Sequence, residues 1–259
     1  MDLLHIRTSG GVFGFVGQVH TGRRRPALVA INGAFPTKDH LHDLVTEFRG
    51  VNVLVAYMPG MGPPWSAFTE SDPGGPTLPG MTQGLGEAIQ RLVGDCPLVV
   101  FGSSTGNLLA LGLTLPTVTR VIASEPFFRT GRLEPFIAFA RQCLAELPPG
   151  TGEEAFLATL FGIHADGRLE DRDYRHLAAG IGVPTDVVVG ARLDGWRGEG
   201  AAWPSLTSAE DRALLQANPN VTLHVVGERT GHTVAVSGAG KELVRQLIYK
   251  GLVEASARC

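Results

Sequence analysis

Ser104 is the side chain with the clearest potential for nucleophilic chemistry. It is the central residue of Gly102-Ser103-Ser104-Thr105-Gly106, a G-x-S-x-G pattern. An apolar run at 97–101 precedes the pattern and a helix-like run at 107–113 follows it, which predicts a strand, a sharp turn and a helix. A serine on such a turn projects its hydroxyl beyond the sheet edge. Ser103 is adjacent, but only Ser104 has glycine at both flanking positions, where neighbouring backbone would pass too close for a Cβ.

A serine hydroxyl needs a general base, and His232 is the histidine best placed to be one. The other seven of the eight histidines fall within predicted strands, on a predicted helix or in a long helical stretch: His5, His20, His40, His42, His164, His176 and His224. His232 lies in the loop after the last predicted strand. Sites of open α/β sheets gather beyond the carboxyl ends of the strands, so His232 is expected to reach Ser104.

The base needs an orienting carboxylate, and Asp194 is favoured for this role. It ends the loop that follows an apolar strand predicted at 185–189. The order Ser104, Asp194, His232 is the nucleophile, acid and base order of hydrolases that carry a G-x-S-x-G pattern.

Glu125 is the alternative acid. It follows the strand predicted at 118–123, which is the next strand after the helix predicted at 107–113. A charged residue that enters an apolar site must be paired or neutralised. Glu125 could therefore replace Asp194 as the acid, bind substrate, or pair with Arg129.

The elements that position these residues alternate between strand and helix, which predicts an α/β fold with a mostly parallel sheet of about eight strands and helices on both faces. Nearly continuous apolar runs such as 27–31 and 51–56 are typical of inner strands covered on both sides. Strands are predicted at 5–8, 12–20, 27–32, 51–57, 97–101, 118–123, 185–189 and 221–226. Helices are predicted at 38–48, 81–93, 107–113, 208–217 and 241–255.

The stretch 126–181 breaks this alternation, because it holds helical segments near 133–147, 153–161 and 173–179 with no strand between them. We interpret it as a helical cap inserted between strands six and seven, with residues 1–125 and 182–259 forming the core. Six phenylalanines crowd the cap, and packing explains most of them while a minority could line an acyl or aromatic pocket. They are Phe127, Phe128, Phe136, Phe139, Phe156 and Phe161.

Over nearly its whole length the chain resembles the α/β-hydrolase superfamily. Gly190–Asp194 matches the family's G-x-x-x-D pattern after strand seven, and Gly231-His232 its G-H near the C-terminus. Asn32–Pro36 is similar to the H-G-x-x-P oxyanion loop, with Asn in place of His. Pro59–Gly62 is similar to the P-G-x-G turn after strand four.

The resemblance implies an oxyanion hole formed by the backbone N–H groups of Thr105 and Ala34. It also implies a cofactor-free serine hydrolase, similar to carboxylesterases or thioesterases, that cleaves an ester, thioester or lactone through an acyl-enzyme on Ser104. An acyltransferase or a C–C bond hydrolase would use the same triad. A non-catalytic ligand-binding member of the fold is a further alternative, since fold does not guarantee turnover.

The amino-acid composition limits the kinds of binding partner that can be expected. With 44% hydrophobic and 18% charged residues and a formal net charge of −3, the chain gives no electrostatic reason to expect nucleic acid, so the expected partner is a small acyl substrate. Three widely separated cysteines suggest neither a disulfide framework nor a zinc site. With no signal peptide and no apolar run of membrane-spanning length, a cytoplasmic protein is expected.

Two glycine-containing segments fail as nucleotide motifs. The segment at 84–89 ends in Ile where the dinucleotide fingerprint has its third glycine, and the segment at 237–242 lacks the first Gly and the final Ser/Thr of a phosphate loop. The sequence therefore predicts no nucleotide and no metal.

Overall fold

A single sheet of eight strands organises the protein in a computed structural model that describes residues 2–20, 25–34, 41–60, 77–147, 150–193, 203–227, 230–236 and 238–259. The strands are β1 (Asp2–Thr8), β2 (Gly11–Gln18), β3 (Ala27–Ile31), β4 (Asn52–Tyr57), β5 (Leu98–Ser103), β6 (Val118–Ser124), β7 (Thr185–Gly190) and β8 (Val221–Val226). Their order across the sheet is β1-β2-β4-β3-β5-β6-β7-β8.

The sheet is mostly parallel, as predicted. The strand pairs β1–β2 and β2–β4 are antiparallel, whereas every neighbouring pair from β4–β3 to β7–β8 is parallel. Because β3 to β8 all run in the same direction, the loops after β3, β5, β6, β7 and β8 meet at one edge.

Eight α-helices connect and cover the strands in the described part of the chain. They are α1 (His42–Glu47), α2 (Leu78–Val93), α3 (Gly106–Gly112), α4 (Glu134–Glu146), α5 (Gly152–Phe161), α6 (Arg175–Ala179), α7 (Ala209–Gln216) and α8 (Gly238–Ser256). Side-chain caps fix several starts: Thr77 and Thr151 each accept a hydrogen bond from the backbone of the first turn, and Ser208 forms a capping box with Asp211.

Two apolar layers cover the sheet, one on each face. Along β3, Val29 and Ile31 contribute to a cluster with α2, α3 and the segment after β6, whereas Leu28 and Ala30 pack in a second cluster with α1 and α8. All five residues of β3 are buried, which explains why its sequence is continuously apolar rather than alternating.

The segment between β6 and β7 is helical where the structure describes it, with α4, α5 and α6 and only two isolated bridges outside the helices. Stacked rings pack its interior: Phe161 lies 5.4 Å from Phe127 and 4.2 Å from Phe136 between ring centroids. Phe139, in contrast, is 38% exposed. Most of the predicted phenylalanine cluster is therefore packing.

None of the described helices combines the length and the apolar character needed to cross a membrane. None of the three cysteines, Cys96, Cys143 and Cys259, forms a disulfide in the described part of the chain.

Candidate active site

The turn after β5 has the geometry expected of a nucleophile elbow. Ser104 has φ 53°, a left-handed conformation that is uncommon for a residue with a side chain. Its N–H donates to the carbonyl of Ser124 on β6 at 2.9 Å. The Asn107 amide donates to the carbonyls of Ser104 and Ser124 at 2.8 and 2.7 Å. Helix α3 starts two residues after Ser104, so the strained residue is held between a strand and a helix.

Both glycines of the pattern are required by close approach. A Cβ on Gly102 would lie 2.6 Å from the Asn107 side-chain oxygen and 2.9 Å from the Cβ of Ala110. A Cβ on Gly106 would lie 2.4 Å from the carbonyl oxygen of Ile31. The steric reason inferred from the sequence therefore holds at both positions.

The loop after β3 lies beside the Ser104 side chain. A Cβ on Gly33 would be 3.0 Å from the Ser104 Cβ and 3.6 Å from its hydroxyl oxygen. The backbone N–H groups of Ala34 and Thr105 have no hydrogen-bond acceptor among the described residues. An oxyanion hole requires two such donors near the serine hydroxyl. Thr105 follows Ser104 in the chain, and Ala34 follows Gly33.

Asn32, where the resembling family has His, is buried with 2% exposure. Among the described residues, neither its amide nitrogen nor its amide oxygen has a hydrogen-bond partner. A buried amide without such partners is costly, so this departure from the family pattern places an unsatisfied polar group at the start of the loop after β3.

His232 lies in the loop after β8, as predicted. Its backbone N–H donates to the Trp203 carbonyl at 3.1 Å, and a Cβ on the preceding Gly231 would come within 2.0 Å of the same oxygen. Its ring nitrogen Nδ1 lies 4.0 Å from a carboxylate oxygen of Glu125. Within the described residues, no hydrogen bond joins His232 to Ser104. Catalytic hydrogen bonds are often long without substrate and tighten when it binds.

Glu125 is the carboxylate that the described residues bring to His232. It follows β6 with φ 55° and is 1% exposed. Its oxygens accept hydrogen bonds from the Gly190 N–H at 2.6 Å, from the Leu206 N–H at 2.7 Å, and from the Ser205 hydroxyl at 2.9 and 3.0 Å. These donors offset the loss of water around the buried carboxylate.

Arg212 adds positive charge near this carboxylate. Its guanidinium donates to the Gly190 carbonyl at 2.6 Å. Burial lowers the pKa of Arg212, and the negative charge of Glu125 acts in the opposite direction. The predicted pairing of Glu125 with Arg129 is wrong, because Arg129 pairs with Asp171 and the Glu125 oxygens are occupied by the donors above.

Asp194, the favoured acid of the sequence, lies outside the described residues, as do Phe35, Pro36 and the second half of the Pro59–Gly62 turn. In the part of the chain that the structure describes, no group of three or more His, Cys, Asp or Glu side chains could hold a metal ion.

Sequence reasoning missed two residues that contact the candidate site, Trp203 and Ser205. The Trp203 ring stacks on His232, and the Ser205 hydroxyl donates to both oxygens of Glu125. The sequence gives little indication of either residue, because they flank Pro204 in a segment without a motif. Their partners, His232 and Glu125, lie about 30 and 80 positions away in the chain.

The sheet order, the strained serine after β5 and the histidine loop after β8 define the α/β-hydrolase fold, which confirms the predicted fold class. No protein-family model and no curated protein sequence matches the chain. The chain is similar to proteins of solved structure.

A thermophilic esterase from Thermogutta terrifontis is 18% identical with a TM-score of 0.62, over 99% of this chain and 100% of that one. An enol-lactonase from Burkholderia xenovorans LB400 is 14% identical with a TM-score of 0.62, over 96% and 100%. An N-formylmaleamic acid deformylase from Pseudomonas putida S16 is 19% identical with a TM-score of 0.59, over 94% and 100%. At these identities the likeness establishes the fold.

Proposed function

We propose that this protein is a serine hydrolase that cleaves a carboxylic ester, thioester or lactone through an acyl-enzyme on Ser104. The observation that carries the proposal is the left-handed Ser104 between two sterically required glycines, followed by Thr105, whose N–H has no acceptor among the described residues. The structural neighbours include an esterase, a lactonase and a deformylase, which supports hydrolysis of an acyl bond.

In the proposed reaction His232 accepts the hydroxyl proton of Ser104 as the oxygen attacks the substrate carbonyl. The N–H groups of Thr105 and Ala34 stabilise the resulting oxyanion, and the loss of one such donor typically costs about 2.7–4 kcal/mol of transition-state stabilisation. The tetrahedral intermediate then collapses, and His232 returns the proton to the leaving group. Water releases the acyl group by the same sequence.

We propose Glu125 as the acid that orients His232, in place of the Asp194 favoured by the sequence. The 4.0 Å separation between Nδ1 and Oε2, together with the full burial of Glu125 and its three fixed donors, supports this choice. Asp194 remains the alternative acid, since it follows β7 on the adjacent loop.

We also propose that residues 126–181 act as a cap over this edge of the sheet, with 1–125 and 182–259 as the core. Contacts of α4 support it, since Phe136 and Phe139 lie 6.1 and 5.9 Å from Trp203 between ring centroids, and Trp203 stacks on His232. A Cβ on Gly152 at the start of α5 would lie 3.0 Å from Gly60 in the loop after β4.

The nucleophile is tested by comparing Ser104→Ala with Ser103→Ala on p-nitrophenyl acetate and butyrate. We expect Ser104→Ala to abolish hydrolysis and covalent labelling by a fluorophosphonate, and the neighbouring Ser103→Ala to retain both. Full activity of Ser104→Ala, or a labelled peptide that excludes Ser104, would refute the proposal. Product analysis with a competing alcohol or thiol separates hydrolysis from acyl transfer.

The acid is tested by comparing Glu125→Gln with Asp194→Asn. Replacing the acid of a serine triad by its amide lowers kcat by about 10⁴-fold in the best-studied case. We expect a loss of that order for Glu125→Gln and less than about tenfold for Asp194→Asn. The reverse result would assign the acid to Asp194. Circular dichroism and Tm establish that each variant is folded at the assay temperature.

A further inference from the structure

The segment Trp203–Thr207 contacts both members of the proposed His–Glu pair. Trp203 contacts His232 through its carbonyl and its ring, while Ser205 and Leu206 donate hydrogen bonds to Glu125. The hydroxyl of Thr207 then donates to the carbonyl of Pro126 at 2.6 Å. This segment therefore fixes the position of His232 relative to Glu125.

The Trp203 ring lies against the face of the His232 ring. Their centroids are 5.9 Å apart and the planes are inclined by 24°. The negative face of an indole attracts a cation within about 6 Å of its centroid, and tryptophan is the strongest of the aromatic residues in this respect. Neutral imidazole gains little from this contact, whereas imidazolium gains an electrostatic attraction.

Two rings of α4 contact the indole. Phe136 is buried and meets Trp203 edge to face at 88°, and Phe139 meets it at 69°. Edge-to-face pairs with centroids 4.5–7 Å apart are the favoured arrangement for aromatic side chains. Phe136 is buried and so sets the orientation of Trp203, whereas Phe139 is 38% exposed and only flanks the indole.

We propose that Trp203 is a positioning residue for His232 whose indole face stabilises the imidazolium formed when the base takes the Ser104 proton. This inference rests on the proposed function. In the proposed reaction the imidazolium forms when His232 takes a proton, from Ser104 in acylation and from water in deacylation. The stack therefore acts on kcat and not on substrate affinity.

The chain offers a graded set of variants to test this. Trp203→Leu removes the aromatic face, Trp203→Phe keeps a smaller one, and both retain the backbone carbonyl that accepts from the His232 N–H. Phe139→Leu removes a ring that contacts Trp203, and it serves as the control for loss of aromatic packing.

The measurements are kcat and KM on p-nitrophenyl butyrate and the second-order rate of labelling of Ser104 by a fluorophosphonate. A cation–π contribution in the usual range corresponds to a loss of about 2- to 30-fold in kcat for Trp203→Leu. We expect the labelling rate to fall in proportion, KM to stay constant, and Trp203→Phe to recover most of kcat. Phe139→Leu should stay within about twofold of the wild type.

Three results would overturn the role of Trp203: a wild-type kcat in Trp203→Leu, equal losses in Trp203→Leu and Phe139→Leu, or a raised KM with kcat unchanged. Each leaves the proposed function standing as long as Ser104 is labelled in the wild type. If the wild type is neither active nor labelled, the proposed function itself fails. A Tm for each variant excludes unfolding at the assay temperature.

Discussion

Replacing Gly106 by alanine tests whether close backbone packing creates the elbow. The new Cβ would lie 2.4 Å from the carbonyl oxygen of Ile31 and 2.7 Å from that of Asn32. Both oxygens belong to the backbone at the end of an inner strand, so they cannot rotate away. Because real Cβ atoms essentially never approach within 3.0 Å, α3 and β3 must separate by at least about 0.6 Å, and by about 1 Å for an ordinary contact.

Two opposing effects decide the stability of Gly106→Ala. Alanine favours a helix by about 0.8–1.0 kcal/mol relative to glycine. Overpacking of a well-packed core costs about 1–3 kcal/mol, and rigid backbone on both sides places this site near the upper end. We therefore expect a net loss of roughly 1–2 kcal/mol in the free energy of unfolding, measured by urea denaturation.

The displacement also moves the Ser104 hydroxyl and the Thr105 N–H relative to the loop after β3. A misplacement of about 1 Å typically costs on the order of 10²-fold in rate, so kcat on p-nitrophenyl butyrate should fall by about that factor. Gly112→Ala is the matched control on the same helix, because its Cβ would meet side chains and not backbone: Thr82 at 3.3 Å and Leu177 at 3.6 Å. If both variants match the wild type in stability and rate, the steric account of the elbow is wrong.

Two further predictions concern polar residues away from the elbow. Asn32→Leu should raise the free energy of unfolding by about 1–3 kcal/mol in urea, because it removes a buried amide that has no partner among the described residues. A decrease would mean that the amide is hydrogen-bonded in solution, for example to a buried water. Burial alone would raise the pKa of Asp171, but hydrogen bonds from the Gly131 N–H and Arg129 outweigh it and hold the pKa below the usual 3.8. A pKa that is lower in the folded state stabilises that state above the unfolded-state pKa, so Asp171→Asn should lower Tm at pH 7. The difference should shrink as pH falls below 3.8 and be lost only below the lowered pKa of the folded state; a difference independent of pH would contradict this.

The architecture of the sheet could be predicted largely from periodicity. The continuously apolar runs of β3 and β4 and the strand-to-helix alternation after them require a parallel sheet covered on both faces. The order of β2, β4 and β3 could not be predicted in the same way, because the sequence of a strand does not specify which other strand pairs with it. Some helix starts also differed from the prediction: α2 begins at Leu78, three residues before the predicted start, where the Thr77 side chain caps it.

The sequence by itself determined the elbow, because the elbow is local. The apolar strand, the two glycines and the helix that follows lie within about twenty residues. Both glycines are needed because this arrangement brings other atoms too close for a Cβ. His232 could also be predicted from the sequence, because the loop after the last strand lies at the same edge of the sheet as the turn after β5. The proposed choice of Glu125 as the carboxylate, in contrast, rests on tertiary structure. Glu125 is supported by Ser205 and Leu206, 80 and 81 residues further along the chain, and Trp203 contacts His232 only because their loops are packed together. Hydrogen bonds and ring stacking depend on distances that chain order does not fix, and for this reason the partners of the base became visible only in the folded protein.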